Sequence, residues 1–387
     1  EESSPPSHPT ILKPPSFPPS DTFLSSLFSG CLSTTVTSWR VIPLAECRTV
    51  AEYESHVLTA SFKQFNEWIH TNNINEINPL SVLPPYKSNA VALYADYKYF
   101  HHIFESVLTV RNEDSDARTD SDSILVCDGS SILLNPPGSN ESIEVIDWNR
   151  LGAPGAPAYT TTFWAGSKGC HTPLHFDSYG RNVIVQLEGS KTWYLWSPSE
   201  NTENIFRPRR VPYEESSIYA DPSNFDPLNP EHLARHPPDM RVTLQAGDVL
   251  LLPKHWWHFV QTESDISLSM NVWLPVQDDS VDRVGEAITR FAFGALGDAL
   301  RCTGIPVTCS QGWLSPSEEE GEQKEGGPLD HARNVEYLLD AVGEQRANFN
   351  ENSGSLSDVD LMRKVVSELL HPESIRRCLK TVLSNKL

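Results

Sequence analysis

The sequence predicts a mainly β fold, a sandwich or barrel, with helices before and after it. Three observations carry that expectation. Between residues 159 and 275 short apolar runs alternate with turn signals, and no helical period intervenes. On either side of that region apolar residues recur at helical spacing. Hydrophobic residues make up 39% and aromatics 9% of the 387 residues, enough to bury a sizeable core.

The strand region reads in order. One run covers 161–165. A second, 182–187, is closed by the turn Glu188-Gly189-Ser190, and 191–196 follows up to Pro198. Residues 242–244 precede the turn Ala246-Gly247-Asp248, and 249–252 ends at Pro253. The runs 257–261 and 266–273 complete the series. Residues 199–240 interrupt it as a polar, Pro-rich loop, long enough to be functional.

Upstream, Thr49 and Glu52 fit a capping box, with Tyr53, Val57, Phe62, Phe65 and Ile69 following as one helical face. Downstream, Ser280 caps a helix whose Val281, Val284, Ile288, Phe291 and Ala295 form an apolar stripe. Ala292, Leu296 and Leu300 widen that stripe beyond what one covered face needs, which predicts a homodimer contact through the C-terminal helices. Further helices are expected over 333–343, 358–370 and 372–383. The domain plan is therefore threefold. Residues 1–44 are a largely disordered start, with seven Pro in the first 20. Residues 45–276 form the β domain, with a disordered insertion at about 110–140. Residues 277–387 are helical around an acidic linker at 315–328.

The formal charge is −21, from 30 basic and 51 acidic residues, which argues against a nucleic-acid partner. No apolar run reaches the roughly 18 residues of a membrane span. Seven scattered Cys without a Cys-x-x-Cys read as reduced thiols, and so as a cytoplasmic or nuclear protein. There is no Gly-x-Ser-x-Gly elbow and no phosphate-binding Gly-rich loop with a following Lys.

His175 and Asp177 are two apart on an extended segment, so both side chains face one way and can reach one ion. A polar pair at a strand end is the plainer reading of such a motif. A third ligand can come from His255 or His258, one in a turn and the other inside a strand. Two His and one carboxylate on one face of a metal is the triad of non-haem Fe(II) oxygenases. Lys191 opens a strand whose Trp193 and Leu195 are apolar, and an ammonium on such a face needs an anion. The cluster Arg207-Pro-Arg209-Arg210 is a basic spot in an acidic chain, a solvated face or a contact for an acidic peptide.

Five motifs stand in a familiar order: His175-Phe-Asp177, Gln186-Leu-Glu-Gly-Ser-Lys191-Thr-Trp, Gly247-Asp-Val-Leu-Leu-Leu-Pro253, Trp256-Trp-His258 and Asn271-Val-Trp273. Together they resemble the JmjC-type 2-oxoglutarate oxygenases, closest to their hydroxylase branch and to members that associate with a small heat-shock protein. The resemblance covers about 45–315. It implies a double-stranded β-helix (jelly roll, cupin-like) and an Fe(II)- and 2-oxoglutarate-dependent dioxygenase using O₂, with a protein substrate. It selects His258 as the third ligand beside His175 and Asp177. It implies that Lys191 and Thr172 bind the distal carboxylate of 2-oxoglutarate, that Asn271 and Trp273 line the site, and that Tyr94 contacts the cosubstrate. A non-catalytic scaffold for a small heat-shock protein and a tRNA-base hydroxylase are the alternatives. Demethylation is disfavoured because no histone-reading module is visible.

Overall fold

The structure, a computed structural model, describes residues 7–13, 35–45, 48–50, 55–71, 74–111, 125–135, 142–211, 214–276, 278–302, 331–348, 358–369, 371 and 374. The chain divides into two units, 1–279 with 308–325, and 280–307 with 326–387.

Two large sheets face each other in the first unit. The eight-stranded sheet runs in space as β1 (Thr10–Leu12), β16 (Val249–Leu252), β11 (Arg181–Glu188), β18 (Ile266–Leu274), β9 (Thr162–Ser167), β4 (Val91–Tyr99), β2 (Val36–Pro43) and β3 (His56–Ser61). The six-stranded sheet runs as β13 (Arg209–Val211), β14 (Glu214–Tyr219), β10 (His171–Asp177), β17 (Trp257–Thr262), β12 (Ser190–Trp196) and β15 (Met240–Gln245). Every pairing within both sheets is antiparallel, and from β9 to β12 and again from β15 to β18 successive strands alternate between the sheets. That is the jelly-roll architecture the sequence predicts. The hairpin from β11 to β12 turns at Gly189, φ +66°. A Cβ there would run into Ile266 O and Ser264, so no other residue fits without moving backbone.

Alternation along the strands sorts side chains into three layers. Leu174, Tyr194, Trp196, Trp257 and Phe259 leave the outer face of the six-stranded sheet and pack with Phe206 and Phe225. Ile184, Trp193, Leu195, Leu250, Leu252, Trp256 and Val260 fill the space between the sheets. Trp39, Phe65, Val183, Val185 and Val272 belong to the largest cluster, behind the eight-stranded sheet. Helix α1 (Phe62–His70) covers part of that cluster with Phe62, Phe65, Trp68 and Ile69.

Several expected elements come out differently. The helix begins at Phe62, not Thr49. Its capping box is Ser61 and Gln64: Ser61 Oγ accepts from Gln64 N at 3.2 Å, and Gln64 Oε1 accepts from Ser61 N at 2.8 Å. Residues 56–61 are instead strand β3, because β2 offers a full antiparallel ladder from Val36↔Ser61 to Val41↔His56. Strand β2 lies inside the start expected to be disordered, where Trp39, Arg40 and Ile42 are fully buried. Seven Pro among the first 20 residues masked the β-forming run Val36–Pro43 in a segment-wide reading. The insertion at 110–140 likewise contains structure. β5 (Leu108–Arg111), β6 (Leu125–Asp128), β7 (Ser131–Leu134) and β8 (Ile143–Asp147) form a four-stranded sheet, and Leu125, Cys127, Ile132 and Leu134 join the core. Residues 112–124 and 136–141 of that insertion lie outside the described residues. The 199–240 loop contains α3 (Glu200–Phe206), β13, β14 and α4 (Pro230–Arg235), while α2 (Phe100–Ile103) closes β4.

The second unit holds most of α5 (Asp279–Cys302), with α6 (His331–Asn348) and α7 (Asp358–Leu369). Ala287 and Phe291 of α5 pack on Leu338 and Ala341 of α6, so that part of the stripe is covered by the chain itself, while Val281 is 51% exposed. The side chains of Ala295, Leu296 and Leu300, the acidic linker and, apart from Ser374, the helix expected over 372–383 lie outside the described residues. No described helix is long and apolar enough to cross a membrane.

Candidate metal centre

The paired strands β10 and β17 set the site. Their register puts His175 directly opposite His258, and directly opposed residues share a face. Asp177, two residues on from His175, shares it too. One donor atom from each of these three lies within 4.8 Å of the others, and His175 Nε2 stands 3.7 Å from Asp177 Oδ1.

The neighbours fix which atoms are available. His175 Nδ1 bonds Pro173 O at 2.8 Å, and His258 Nδ1 bonds Trp256 O at 2.9 Å. A carbonyl can only accept, so each Nδ1 carries its proton and each Nε2 presents a lone pair. Burial, with repulsion from His258, pushes the His175 pKa down to about 3, so the ring stays neutral at physiological pH. Asp177 Oδ2 accepts from Trp273 Nε1 at 2.9 Å and from Asn182 Nδ2 at 3.1 Å, which leaves Oδ1 facing the histidines. Asn182 Oδ1 in turn accepts from Asn271 Nδ2 at 2.9 Å, and Asn271 Oδ1 accepts from Trp164 Nε1 at 2.7 Å. The carboxylate is thus the end of a four-residue chain that locks its orientation. Two neutral imidazoles and one oriented carboxylate suit a divalent transition metal with open coordination positions.

A pocket open to solvent, with about 620 Å³ of empty space, lies between the two sheets over these three residues. On its β12 side Lys191 is 3% exposed. Its ammonium donates to Ser269 Oγ at 2.9 Å and lies 3.4 Å from Tyr94 OH, and no carboxylate pairs with it among the described residues. Burial lowers its pKa to about 8, partly offset by Cys170 and Asp96. Tyr94 OH stands 3.5 Å from Thr172 Oγ1. Burial first, and Cys170 and Asp96 after it, hold the Tyr94 phenol well above its usual pKa. Three hydroxyls and an ammonium therefore converge on one end of the pocket, a receptor for an anion with several acceptor oxygens.

Every expected site residue lies in this pocket: Tyr94, Thr172, His175, Asp177, Lys191, His258, Asn271 and Trp273. His255 does not. It sits in a turn at φ +64° with Nε2 bonded to Ser178 O at 3.1 Å. The sequence reading missed Tyr97, Asn182, Ser217, Tyr219 and Ser269. Asn182 and Ser269 were accessible to alternation along β11 and β18. Ser217 and Tyr219 lie in the segment read as a loop. They reach the pocket because β14 pairs with β10 at Asp177↔Ser217 and His175↔Tyr219. Tyr97 owes its place to an irregularity in β4 between Ala95 and Lys98, where its own φ is +52°.

The family profile described as a cupin-like domain matches residues 54–280. HSPB1-associated protein 1 of Homo sapiens is 32% identical over 301 residues, 76% of this chain and 51% of the relative. JmjC domain-containing protein D of Dictyostelium discoideum is 34% identical over 105 residues, 26% of this chain and 22% of the relative. Lysine-specific demethylase 8 of Xenopus tropicalis is 30% identical over 142 residues, 35% and 30% of the two chains. The chain spans about half the length of the HSPB1-associated relatives. With the matched segment enclosing the jelly roll and the His175/Asp177/His258 cluster, the chain belongs to the cupin-like family of JmjC-domain proteins.

Proposed function

We propose that the protein is an Fe(II)- and 2-oxoglutarate-dependent oxygenase that hydroxylates a protein side chain. The observation that carries this reading is one pocket holding both a converging His175/Asp177/His258 set and, beside it, a buried ammonium without a carboxylate. When bound, Fe(II) with 2-oxoglutarate and O₂ supplies the oxidising power to convert C–H into C–OH, with release of succinate and CO₂.

The chain's own residues hold and orient. His175, Asp177 and His258 would hold the metal, and Trp273 and Asn182 keep the Asp177 carboxylate turned toward it. Lys191, Tyr94, Thr172 and Ser269 would receive the distal carboxylate of 2-oxoglutarate. Asn271 positions Asn182 and Trp164. Ile184, Trp193 and Val260 line the wall between those groups and keep water from the reacting atoms. A net charge of −21 favours a protein substrate over tRNA.

A second reading rests on the printed name of the relatives, HSPB1-associated protein 1. In it the jelly roll is a non-catalytic scaffold for a small heat-shock protein, which is also our proposed partner. Succinate release from 2-oxoglutarate with Fe(II) separates the two. The oxygenase reading expects release that Asp177→Ala abolishes, together with a peptide heavier by one oxygen among co-purifying proteins. Capture of a small heat-shock protein by a chain that forms no succinate would favour the scaffold.

A further inference from the structure

Four strands place one residue each in a single row across the six-stranded sheet. His258 on β17 is opposite His175 on β10, His175 is opposite Tyr219 on β14, and Tyr219 is opposite Arg209 on β13. Directly opposed residues of antiparallel strands project from the same face. Arg209 therefore projects from the face that carries the metal-ligand histidines, two strand spacings from His175, or roughly 10 Å across the sheet. The rings confirm that the row is continuous up to Tyr219: His175 lies 4.1 Å from His258 and stacks on Tyr219 at 5.3 Å between centroids.

Arg209 is half-buried, and its Nε is buried with no acceptor. No hydrogen bond, ion pair or ring contact engages this side chain among the described residues. A planar guanidinium held that way is suited to a carboxylate, which can meet two of its N–H groups at once. The order of the strands separates it from the cosubstrate end of the pocket. Lys191 lies on β12, beyond β17, and Arg209 lies on β13, beyond β14, so the two cations flank the metal ligands from opposite sides. The setting is also exceptional for this chain. Against 51 acidic and 30 basic residues, Arg207, Arg209 and Arg210 are a local positive spot.

We infer that Arg209 determines substrate specificity by receiving a carboxylate of the substrate, so that the peptide that enters carries an acidic side chain near the residue to be hydroxylated. This deepens the oxygenase reading and rests on it. Arg181 provides an internal control. It too has a buried Nε without an acceptor, but as the neighbour of Asn182 on β11 it projects from the other face of its strand.

The test uses the full chain loaded with Mn(II) and 2-oxoglutarate, and two synthetic decapeptide pools. Both are random except at the central position, which is glutamate in one and glutamine in the other. Retention on the immobilised protein is read by mass spectrometry. Wild type should retain the glutamate pool roughly ten-fold or more over the glutamine pool, as a charge-assisted contact implies. Arg209→Gln should lose that preference, Arg209→Lys should keep part of it, and Arg181→Gln should keep all of it. A melting curve for each variant separates lost folding from lost recognition, and the Lys variant carries the test if the Gln variant is unfolded. Equal retention of both pools by wild type, or an acidic preference that survives in folded Arg209→Gln or falls equally in Arg181→Gln, overturns the inference. So does retention of a random RNA decamer that depends on Arg209, since that would assign the guanidinium to phosphate. Succinate release by wild type, measured separately, shows whether the oxygenase reading itself has failed.

Discussion

Replacing Lys191 by Met tests the cosubstrate end of the pocket in two directions at once. The side chain is 3% exposed and its ammonium meets two hydroxyls, Ser269 Oγ at 2.9 Å and Tyr94 OH at 3.4 Å, and the rings of Tyr94 and Trp164 at 5.2 and 5.9 Å, but no carboxylate among the described residues. Its pKa falls from 10.5 to about 8 because burial penalises the charge. The sign follows from proton counting. Between pH 8 and 10.5 the unfolded chain binds the proton that the folded chain has lost, so stability rises with pH across that window. At pH 7 the buried charge therefore costs the free protein roughly 3 kcal/mol, at about 1.4 kcal/mol for each pKa unit. Met is close in volume and carries no charge, so Lys191→Met should melt no lower than wild type at pH 7. Cosubstrate binding should respond oppositely. A charge-assisted contact is worth about 1.5–3 kcal/mol, so the variant should bind 2-oxoglutarate roughly ten- to a hundred-fold more weakly, with Mn(II) affinity nearly unchanged. In wild type the binding-competent form is the protonated one. Affinity should be flat well below pH 8, be about halved at pH 8 and reach roughly a tenth of its plateau at pH 9, while Lys191→Met shows no such fall. Calorimetric titration of 2-oxoglutarate into the Mn(II)-loaded proteins, with melting curves beside it, reads all three quantities. Unchanged affinity in Lys191→Met would refute the argument and assign the distal carboxylate to another cation.

Trp273→Phe keeps the ring but removes one of the two donors that hold Asp177 Oδ2, so Mn(II) affinity measured by competition with a chelating dye should fall about ten-fold, and an unchanged value would show that Asn182 alone suffices. His171 accepts from Val50 N at 3.1 Å, and burial, with Arg40 nearby, lowers its pKa to about 4 from 6.5. Its share of stability, roughly 3 kcal/mol, is complete above pH 6.5 and is lost as pH falls from 6.5 toward 4. Denaturant midpoints across that range should fall in wild type and fall less steeply in a folded His171→Gln variant, and parallel slopes would contradict the assignment.

Two of the three candidate metal ligands were legible because the relation that joins them is local. His175 and Asp177 share a face by strand alternation alone, whereas the choice of His258 over His255 came from the family resemblance. The two cases that alternation could not give are both three residues apart. Thr172 and His175 should point to opposite sides of β10, yet both line the pocket, because the register shifts between them around Pro173. Tyr94 and Tyr97 repeat the pattern on β4, where the shift falls between Ala95 and Lys98. Pro173, which has no N–H to give to the ladder, marks the irregularity in β10, but nothing in the composition of β4 announces the one between Ala95 and Lys98. Only the family resemblance brought Thr172 and Tyr94 to the site, and Tyr97 escaped both routes.

Strand β14 is likewise placed by its partner. Glu214–Tyr219 lies between prolines in a polar stretch, and by itself it has neither the length nor the apolar content of a core strand. What makes it one is the free edge of β10, whose backbone groups from His175 to Asp177 need partners on the side away from β17. The backbone of that edge must be satisfied, and the strand that satisfies it acquires the positions opposite the candidate metal ligands. Ser217 and Tyr219 are thus placed by their partners Asp177 and His175 rather than by any motif of their own. By one further pairing Arg209 takes its place in the same row. A segment that looks like a connection in the sequence becomes, through two successive ladders, the strand that brings Ser217 and Tyr219 to the pocket and the one that carries Arg209, the proposed contact to the substrate.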